Sequence, residues 1–405
     1  MRKQRTEMSY RPSRPNWAQA NAKDFFALAD IRLGGERPWD IQVHDARFFQ
    51  RILSGGTLAF GESYVDGWWD CQALDEMCCR ALRARLEERV ALNFHVALSF
   101  LASLFFNLQS RRRATVVGKR HYDVGNDLFK GMLDPSMQYS CAWFRNTDNL
   151  ARAQREKMDL ICRKLGLQKG MRLLDIGCGW GGLARHAAEN YGCEVVGITI
   201  SEQQRTFAAE ACRDLPVEIR LQDYRELNER FDRIVSVGML EHVGSKNYRQ
   251  YMEKVCRSLD EGGVFLCQAI AGNWSSSYTD PWITRYVFPN SMLPSPAQVA
   301  KASEKLLVLE DVQNLGADYE KTLLAWEGNF ERSWDALKDH YGERFYRMWR
   351  FYLLSCAGAF RARALQVYQF LFSKGGKRYL PSCVRWLCPE GKSSGSSRRP
   401  ARASA

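Results

Sequence analysis

An α/β fold, with helices packed on both faces of a parallel sheet, is predicted for the centre of this chain on three observations. Strand-like and helix-like stretches alternate there: strands over 172–176, 194–198, 217–221, 232–237 and 263–270, helices over 181–190, 202–213 and 247–259. The first strand runs into glycines at the mouth of its helix, Asp175-Ile176-Gly177-Cys178-Gly179-Trp180-Gly181-Gly182. With 405 residues, 45% of them apolar and 12% aromatic, the chain has enough to bury a large core in two domains and is not a disordered protein.

In chain order, residues 1–19 and 389–405 are rich in Arg, Ser and Pro and read as basic tails. Residues 20–110 form the expected amino-terminal domain. Up to about residue 90 its short apolar runs, punctuated by Gly34-Gly35, Pro38, Gly55-Gly56 and Gly61, predict a small α+β module with Trp68 and Trp69 in its core. Residues 111–388 are the expected catalytic domain, and the alternating pattern lies inside it. Within 318–372 the chain is expected to turn helical again. Two aromatic and Leu-rich stretches, Tyr341–Cys356 and Phe360–Phe372, are separated near Gly358 and suit a pocket for something greasy.

The net charge is +12, and residues 1–14 and 391–405 carry two thirds of it. Such a balance suits nucleic acid or anionic lipid, or only keeps the tails solvated. The longest apolar stretch, Val90–Leu108, is interrupted by Asn93, His95, Ser99, Ser103 and Asn107, so it is a poor membrane span. With Arg111-Arg112-Arg113 behind it, it suits either an anionic membrane surface or domain packing. The thirteen cysteines form no even framework, residues 1–30 lack a leader's apolar region, and a reducing cytoplasm is expected. Neither Cys78-Cys79 nor Cys383 with Cys388 has zinc-site spacing, so no metal is expected.

Glycines after a strand let the backbone approach a ligand where a Cβ would collide, and the following helix directs N–H groups into the same space. Dinucleotide sites and plain tight turns share that arrangement. Asp175 ahead of the glycines completes the D-x-G-x-G-x-G pattern of S-adenosylmethionine (AdoMet)-dependent methyltransferases, and no phosphate-binding lysine follows as in a P-loop. Ligands of such sheets sit beyond the carboxyl ends of the strands. No acid ends the second strand, so Thr199 and Gln204 are its polar candidates; the third ends in Gln222-Asp223-Tyr224, suited to adenine. After the fourth comes Gly238-Met239-Leu240-Glu241-His242-Val243 in place of the Asn/Asp-Pro-Pro-Tyr of methyltransferases acting on nitrogen. This places a carboxylate, Glu241, at the mouth of the sheet. The core also lacks a Lys/Arg stripe, which argues against a nucleic-acid partner.

Six motifs in order resemble the cyclopropane-fatty-acyl-phospholipid synthases and the related mycolic acid cyclopropane synthases. They are His121-Tyr122-Asp123-Val124-Gly125-Asn126, Gln138-Tyr139-Ser140-Cys141, the glycine loop, Glu241-His242-Val243-Gly244, Gly316-Ala317-Asp318-Tyr319 and Cys356-Ala357-Gly358-Ala359-Phe360-Arg361. The likeness spans about residues 20–386 and includes Arg37-Pro38-Trp39 and Asp66-Gly67-Trp68-Trp69. It implies a Rossmann-like class I AdoMet-dependent methyltransferase fold with a small amino-terminal domain. The implied reaction moves a methyl group from AdoMet to a cis double bond in a phospholipid acyl chain, through a carbocation that closes a cyclopropane ring on losing a proton. Methyl-branched or methylene products from the same cation, or a non-catalytic lipid-binding homologue, are the alternatives.

The resemblance further implies a bicarbonate as proton acceptor, held by Cys141, Glu241, Gln268, the backbone of Ile270, and Tyr319, with Cys356 adjacent. The family commonly has His where Gln268 stands, and Gln hydrogen-bonds but cannot take up a proton. For AdoMet it implies Tyr139, Ser140, Gly177, Gly179, Thr199 and Gln204, beside Asp175, Gln222, Asp223 and Tyr224. It also implies a homodimer bound peripherally to the inner face of the membrane.

Overall fold

The computed structural model describes residues 17–89, 125–276 and 279–375. Val90–Leu108, Arg111–Arg113, His121–Val124, the cysteine pair Cys383 and Cys388, and nearly all of both tails lie outside the described residues.

The amino-terminal module holds α1 (Trp17–Ala27), β1 (Gln42–Val43), α2 (Arg47–Val65), β2 (Trp69–Asp70), α3 (Leu74–Arg83) and the short α4 (Leu86–Arg89). β1 and β2 pair antiparallel, giving the expected α+β module. Its first helix begins at Trp17, inside the stretch assigned to the tail, because Ala18, Ala22 and Phe26 form a buried stripe. Trp69 is buried against Phe60 (ring centroids 4.4 Å apart) and Tyr64 (5.0 Å). Trp68 packs against that core but is only half-buried, with the guanidinium groups of Arg47 and Arg51 each 4.6 Å from its ring. Adjacent residues entering a strand face opposite ways, so only one indole can point inward.

Two helices precede the sheet, α5 (Asn126–Met132) and α6 (Leu150–Leu165). The Asn149 side chain caps α6 by accepting the Arg152 N–H at 3.0 Å, and Gly166 ends it at φ +60°. The remaining elements are β3 (Arg172–Ile176), α7 (Gly182–Tyr191), β4 (Glu194–Thr199), α8 (Glu202–Ala211), β5 (Val217–Leu221), β6 (Phe231–Val237), α9 (Tyr248–Ser258), β7 (Leu259–Gly272), α10 (Pro281–Tyr286), α11 (Pro296–Ser303), β8 (Val308–Asn314), α12 (Gly316–Arg361) and β9 (Leu365–Ser373). The strands lie in the order β5-β4-β3-β6-β7-β9-β8. The first five are parallel, and β9 pairs antiparallel with both β7 and β8. The order reverses between β3 and β6, and a crevice opens there at the carboxyl ends of the strands. This is the Rossmann-like methyltransferase fold expected from the sequence.

The carboxyl-terminal third differs from the sequence expectation at two points. Residues 360–372 are mainly strand β9, not helix. β9 lies between two neighbours and is buried on both faces, so its apolar run Leu365-Gln366-Val367-Tyr368-Gln369-Phe370-Leu371-Phe372 carries no alternation to mark it as a strand. Nor does Gly358 divide one helix from another; α12 continues through it and breaks at Gly342 (φ +74°). Gly358 instead lets α3 press close, since a Cβ there would lie 2.4 Å from the Asp75 carbonyl oxygen. Arg347 on α12 donates to the carbonyls of Tyr64 (2.7 Å) and Trp69 (3.0 Å), so the amino-terminal module and α12 share one core.

Candidate active site

A pocket at the strand-order reversal is lined by all ten residues expected to hold the cofactor: Tyr139, Ser140, Asp175, Gly177, Gly179, Thr199, Gln204, Gln222, Asp223 and Tyr224. β3 delivers Asp175 and the glycine loop, in which Gly177 and Gly179 take φ of +82° and +55°, a region that side chains with a Cβ rarely enter. Gly182 serves a different need: a Cβ there would lie 2.1 Å from the Ser136 carbonyl oxygen. The start of α7 and the segment before Tyr139 can therefore meet only over hydrogen.

β4 ends in Thr199, whose hydroxyl donates to Gln204 Oε1 at 2.9 Å, fixing both side chains at the pocket wall. After β5, Asp223 is gripped by Arg225 (Nε to Oδ1, 2.8 Å), and Tyr224 is buried edge-on against Tyr251 at 5.0 Å. Asp175 is buried, and desolvation pushes its pKa up to about 7 against the pull of Lys157.

The expected proton-acceptor residues assemble beside this pocket from separate elements. Glu241 lies in a 3-10 turn (Leu240–His242) after β6 and is buried. Its Oε1 accepts the Ile270 N–H at 2.7 Å, while its buried Oε2 has no partner. Burial raises the Glu241 pKa to about 7, and the Ile270 bond only partly opposes it. The backbone of Ile270, expected to help hold the anion, thus has its N–H already donating to Glu241.

Gln268, buried on β7, accepts from Gln369 Nε2 of β9 at 3.0 Å, so strand pairing holds its carbonyl oxygen. Burial pushes the pKa of the Tyr319 hydroxyl well up, and Cys141, Tyr139, Cys356 and Glu241 lie near enough to add to that rise. The Cys141 thiol, buried with its pKa pushed well up, has the carbonyls of Ala142 (3.2 Å) and Leu315 (3.5 Å) as acceptors. Burial likewise lifts Cys356 to about 12, keeping it a neutral thiol. Around them, Tyr139 hydrogen-bonds Tyr352 (2.9 Å) and packs against Trp326 (5.2 Å) and Phe129 (5.2 Å). Trp326 and Tyr352 of α12 thus pack against Tyr139, which itself lines the pocket.

The structure also shows residues to which the sequence assigned no role. His242 lines the pocket with Nδ1 buried and unpartnered, and burial holds it neutral by lowering its pKa to about 4. Gln154 and Lys157 of α6 are fully buried beneath Gln138–Ser140. A Gln and a Lys on the core-facing stripe of an amphipathic helix are the signal that would have found them.

A family model for mycolic acid cyclopropane synthetase matches residues 109–370. The cyclopropane-fatty-acyl-phospholipid synthase of Escherichia coli K12 is 51% identical over 360 residues, covering 89% of this chain and 94% of that protein. A tuberculostearic acid methyltransferase of Mycobacterium tuberculosis is 33% identical over 351 residues, 81% of each chain. Among solved structures, the mycolic acid cyclopropane synthase CmaA1 complexed with SAH and CTAB aligns with a TM-score of 0.61 at 33% identity, covering 64% of this chain and 98% of that one. The cyclopropane synthase MmaA2 from Mycobacterium tuberculosis gives 0.61 at 32% identity with the same coverage.

Proposed function

This chain belongs to the mycolic acid cyclopropane synthetase family, and from that premise we propose that it converts cis double bonds of phospholipid acyl chains into cyclopropane rings with AdoMet, a bound bicarbonate taking the proton. The E. coli relative's name and the length of the match support the reaction and the phospholipid substrate. The observation that carries the site assignment is the unpartnered, buried Oε2 of Glu241 next to the cofactor pocket.

AdoMet, when bound, would supply the methyl group, its S–C bond breaking as a C–C bond forms to one alkene carbon; the other carbon would become cationic, and the new methyl would then give up a proton while that C–H electron pair closes the ring. An alkene is a weak nucleophile, so the chain must hold it close to the methyl carbon and keep water from trapping the cation. Tyr139, Tyr319, Trp326 and Tyr352 supply packed aromatic walls whose faces suit a cation.

Bicarbonate, when bound, supplies the base for the departing proton. The residues fit it: Glu241 Oε2 awaits a donor, as a bicarbonate hydroxyl would provide, and the Cys141 and Tyr319 side chains lie in the same buried space. Glu241 itself holds a negative charge there once ionised. Gln268 cannot titrate, and it is the residue that favours the second reading, in which the same cation ends as a methyl-branched or methylene chain.

Among the described residues no helix is long and apolar enough to cross a membrane. We propose peripheral attachment at the inner membrane face, as a homodimer, with residues 90–113 as the contact. The charge and apolar content of that segment support the attachment, and the eleven free thiols among the described cysteines suit a reducing compartment.

The test is to incubate the full chain with methyl-labelled AdoMet and vesicles of unsaturated phospholipid, with and without bicarbonate, and to resolve the acyl products by mass and proton NMR. A ring-proton signal that falls when bicarbonate is removed supports the whole reading. A methylene or saturated methyl branch moves the product to the second reading, and AdoMet binding without label transfer leaves a lipid-binding role.

A further inference from the structure

Lys157 has none of its surface exposed, an unusual state for a lysine. Its Nζ donates to Ser140 Oγ at 2.9 Å and to Gln138 Oε1 at 2.6 Å. One turn earlier on α6, Gln154 Nε2 donates to the carbonyl oxygens of Ser140 (2.9 Å) and Gln138 (3.3 Å). Two core-facing side chains thus clamp the segment that presents Tyr139 and Ser140 to the pocket. Met137, just before it, is held at φ +55°, and Asp134 Oδ1 accepts the Gln138 N–H at 3.1 Å. Gln138 in turn lies over the first turn of α7, where a Cβ on Gly182 would come within 2.5 Å of its Nε2. Burial lowers the Lys157 pKa to about 8, opposed by Asp134, Cys141 and Asp175.

An ammonium group has only donors. Its bond to Ser140 must therefore use a hydroxyl lone pair, and the hydroxyl hydrogen is left to point elsewhere. Its bond to Gln138 likewise settles that amide with Oε1 inward and Nε2 toward the Ser136 carbonyl, 3.4 Å away. Ser140 lines the cofactor pocket.

We propose that Lys157 is a positioning residue for AdoMet: by occupying the Ser140 oxygen as an acceptor, it commits the Ser140 hydroxyl to donate to an acceptor oxygen of the cofactor. The proposal rests on the reading of this pocket as the AdoMet site. It assigns Lys157 no contact with AdoMet and no role in the chemistry. A hydrocarbon at 157 leaves Ser140 free to turn its hydrogen away, and the cofactor then loses an oriented donor.

The test is a double-mutant cycle on the full chain with Lys157→Met and Ser140→Ala, reading AdoMet affinity by calorimetry and the KM and kcat of methyl transfer. Each single change is expected to weaken AdoMet binding about tenfold, the worth of one well-oriented hydrogen bond. The double variant is expected to be no worse than about the weaker single, because both changes remove the same interaction. The loss appears in the KM for AdoMet far more than in kcat, and Lys157→Gln, which keeps a donor, recovers some of it. Additive losses, or a Lys157→Met protein that melts lower yet binds AdoMet as tightly as the parent, overturn the proposal and leave Lys157 a purely structural group. If Lys157→Met does not fold, Ser140→Ala alone still decides, since unchanged AdoMet affinity in that variant overturns the proposal. Failure of the unaltered protein to bind AdoMet is a different result, and it removes the cofactor reading itself.

Discussion

The two ends of the site are built differently. The cofactor end is made largely of loops that follow successive parallel strands: the glycines after β3, Thr199 after β4, and Gln222–Tyr224 after β5. The proposed proton-acceptor end draws Cys141 from ahead of the sheet, Glu241 from after β6, Gln268 and Ile270 from β7, and Tyr319 and Cys356 from α12. The first depends on backbone conformation close to one strand, the second on burial created by distant regions of the chain. Substitutions at the cofactor end should therefore act on AdoMet affinity, and those at the other end on turnover.

The largest effect expected is from Glu241→Gln, a fall in kcat of at least about a hundredfold, the scale of losing a preorganised catalytic group. AdoMet affinity measured by calorimetry should stay within about threefold, because the carboxylate belongs to the other end. A parallel loss of AdoMet binding would break the division. Next is pH: with Glu241 raised to about 7 by burial, turnover at saturating AdoMet should rise about tenfold per unit up to that value and then level. A profile flat between pH values of about 5.5 and 8.5 would show that Glu241 ionisation does not limit the reaction.

At the cofactor end, Gly182→Ala sets a Cβ against the Ser136 carbonyl. We expect about a tenfold weaker AdoMet complex and a lower melting temperature, from overpacking of about 1–3 kcal/mol. An unchanged affinity would show that the contact between α7 and residues 136–138 can relax without cost.

The smallest effect is on stability. Asp175 keeps its proton up to about 7 in the fold against an ordinary 3.8, so the folded state binds more protons than the unfolded one between these values. Stability is full below the ordinary value and is lost as pH rises through about 7. Asp175→Asn avoids that loss, so its melting temperature should gain on the parent by a few degrees as pH rises from about 5 to 8. An opposite trend would mean that Lys157 holds Asp175 ionised in the fold.

Much of the fold could be read in the sequence because the parallel strands, each followed by its helix or turn, are short-range patterns. Strand β9 has no local signature because burial on both faces erases its alternation, and Gly358 resembles a helix break although its reason for being glycine is the Asp75 carbonyl oxygen of α3, far away in the chain. Trp68 and Trp69 looked alike until strand geometry turned one inward and left the other to Arg47 and Arg51.

The sequence by itself determined the parallel part of the sheet, the glycine loop and the strand-end residues of the cofactor pocket, since the spacing of neighbouring residues settles backbone conformation and strand-end position, whereas Tyr139 and Ser140 are implied only by the family resemblance. Tertiary structure alone decided that Glu241 keeps an unpartnered oxygen, that Gln268 is held by Gln369, and that Lys157 reaches Ser140. Desolvation and hydrogen-bond partnership depend on what the rest of the chain brings against a side chain, and no local pattern contains that.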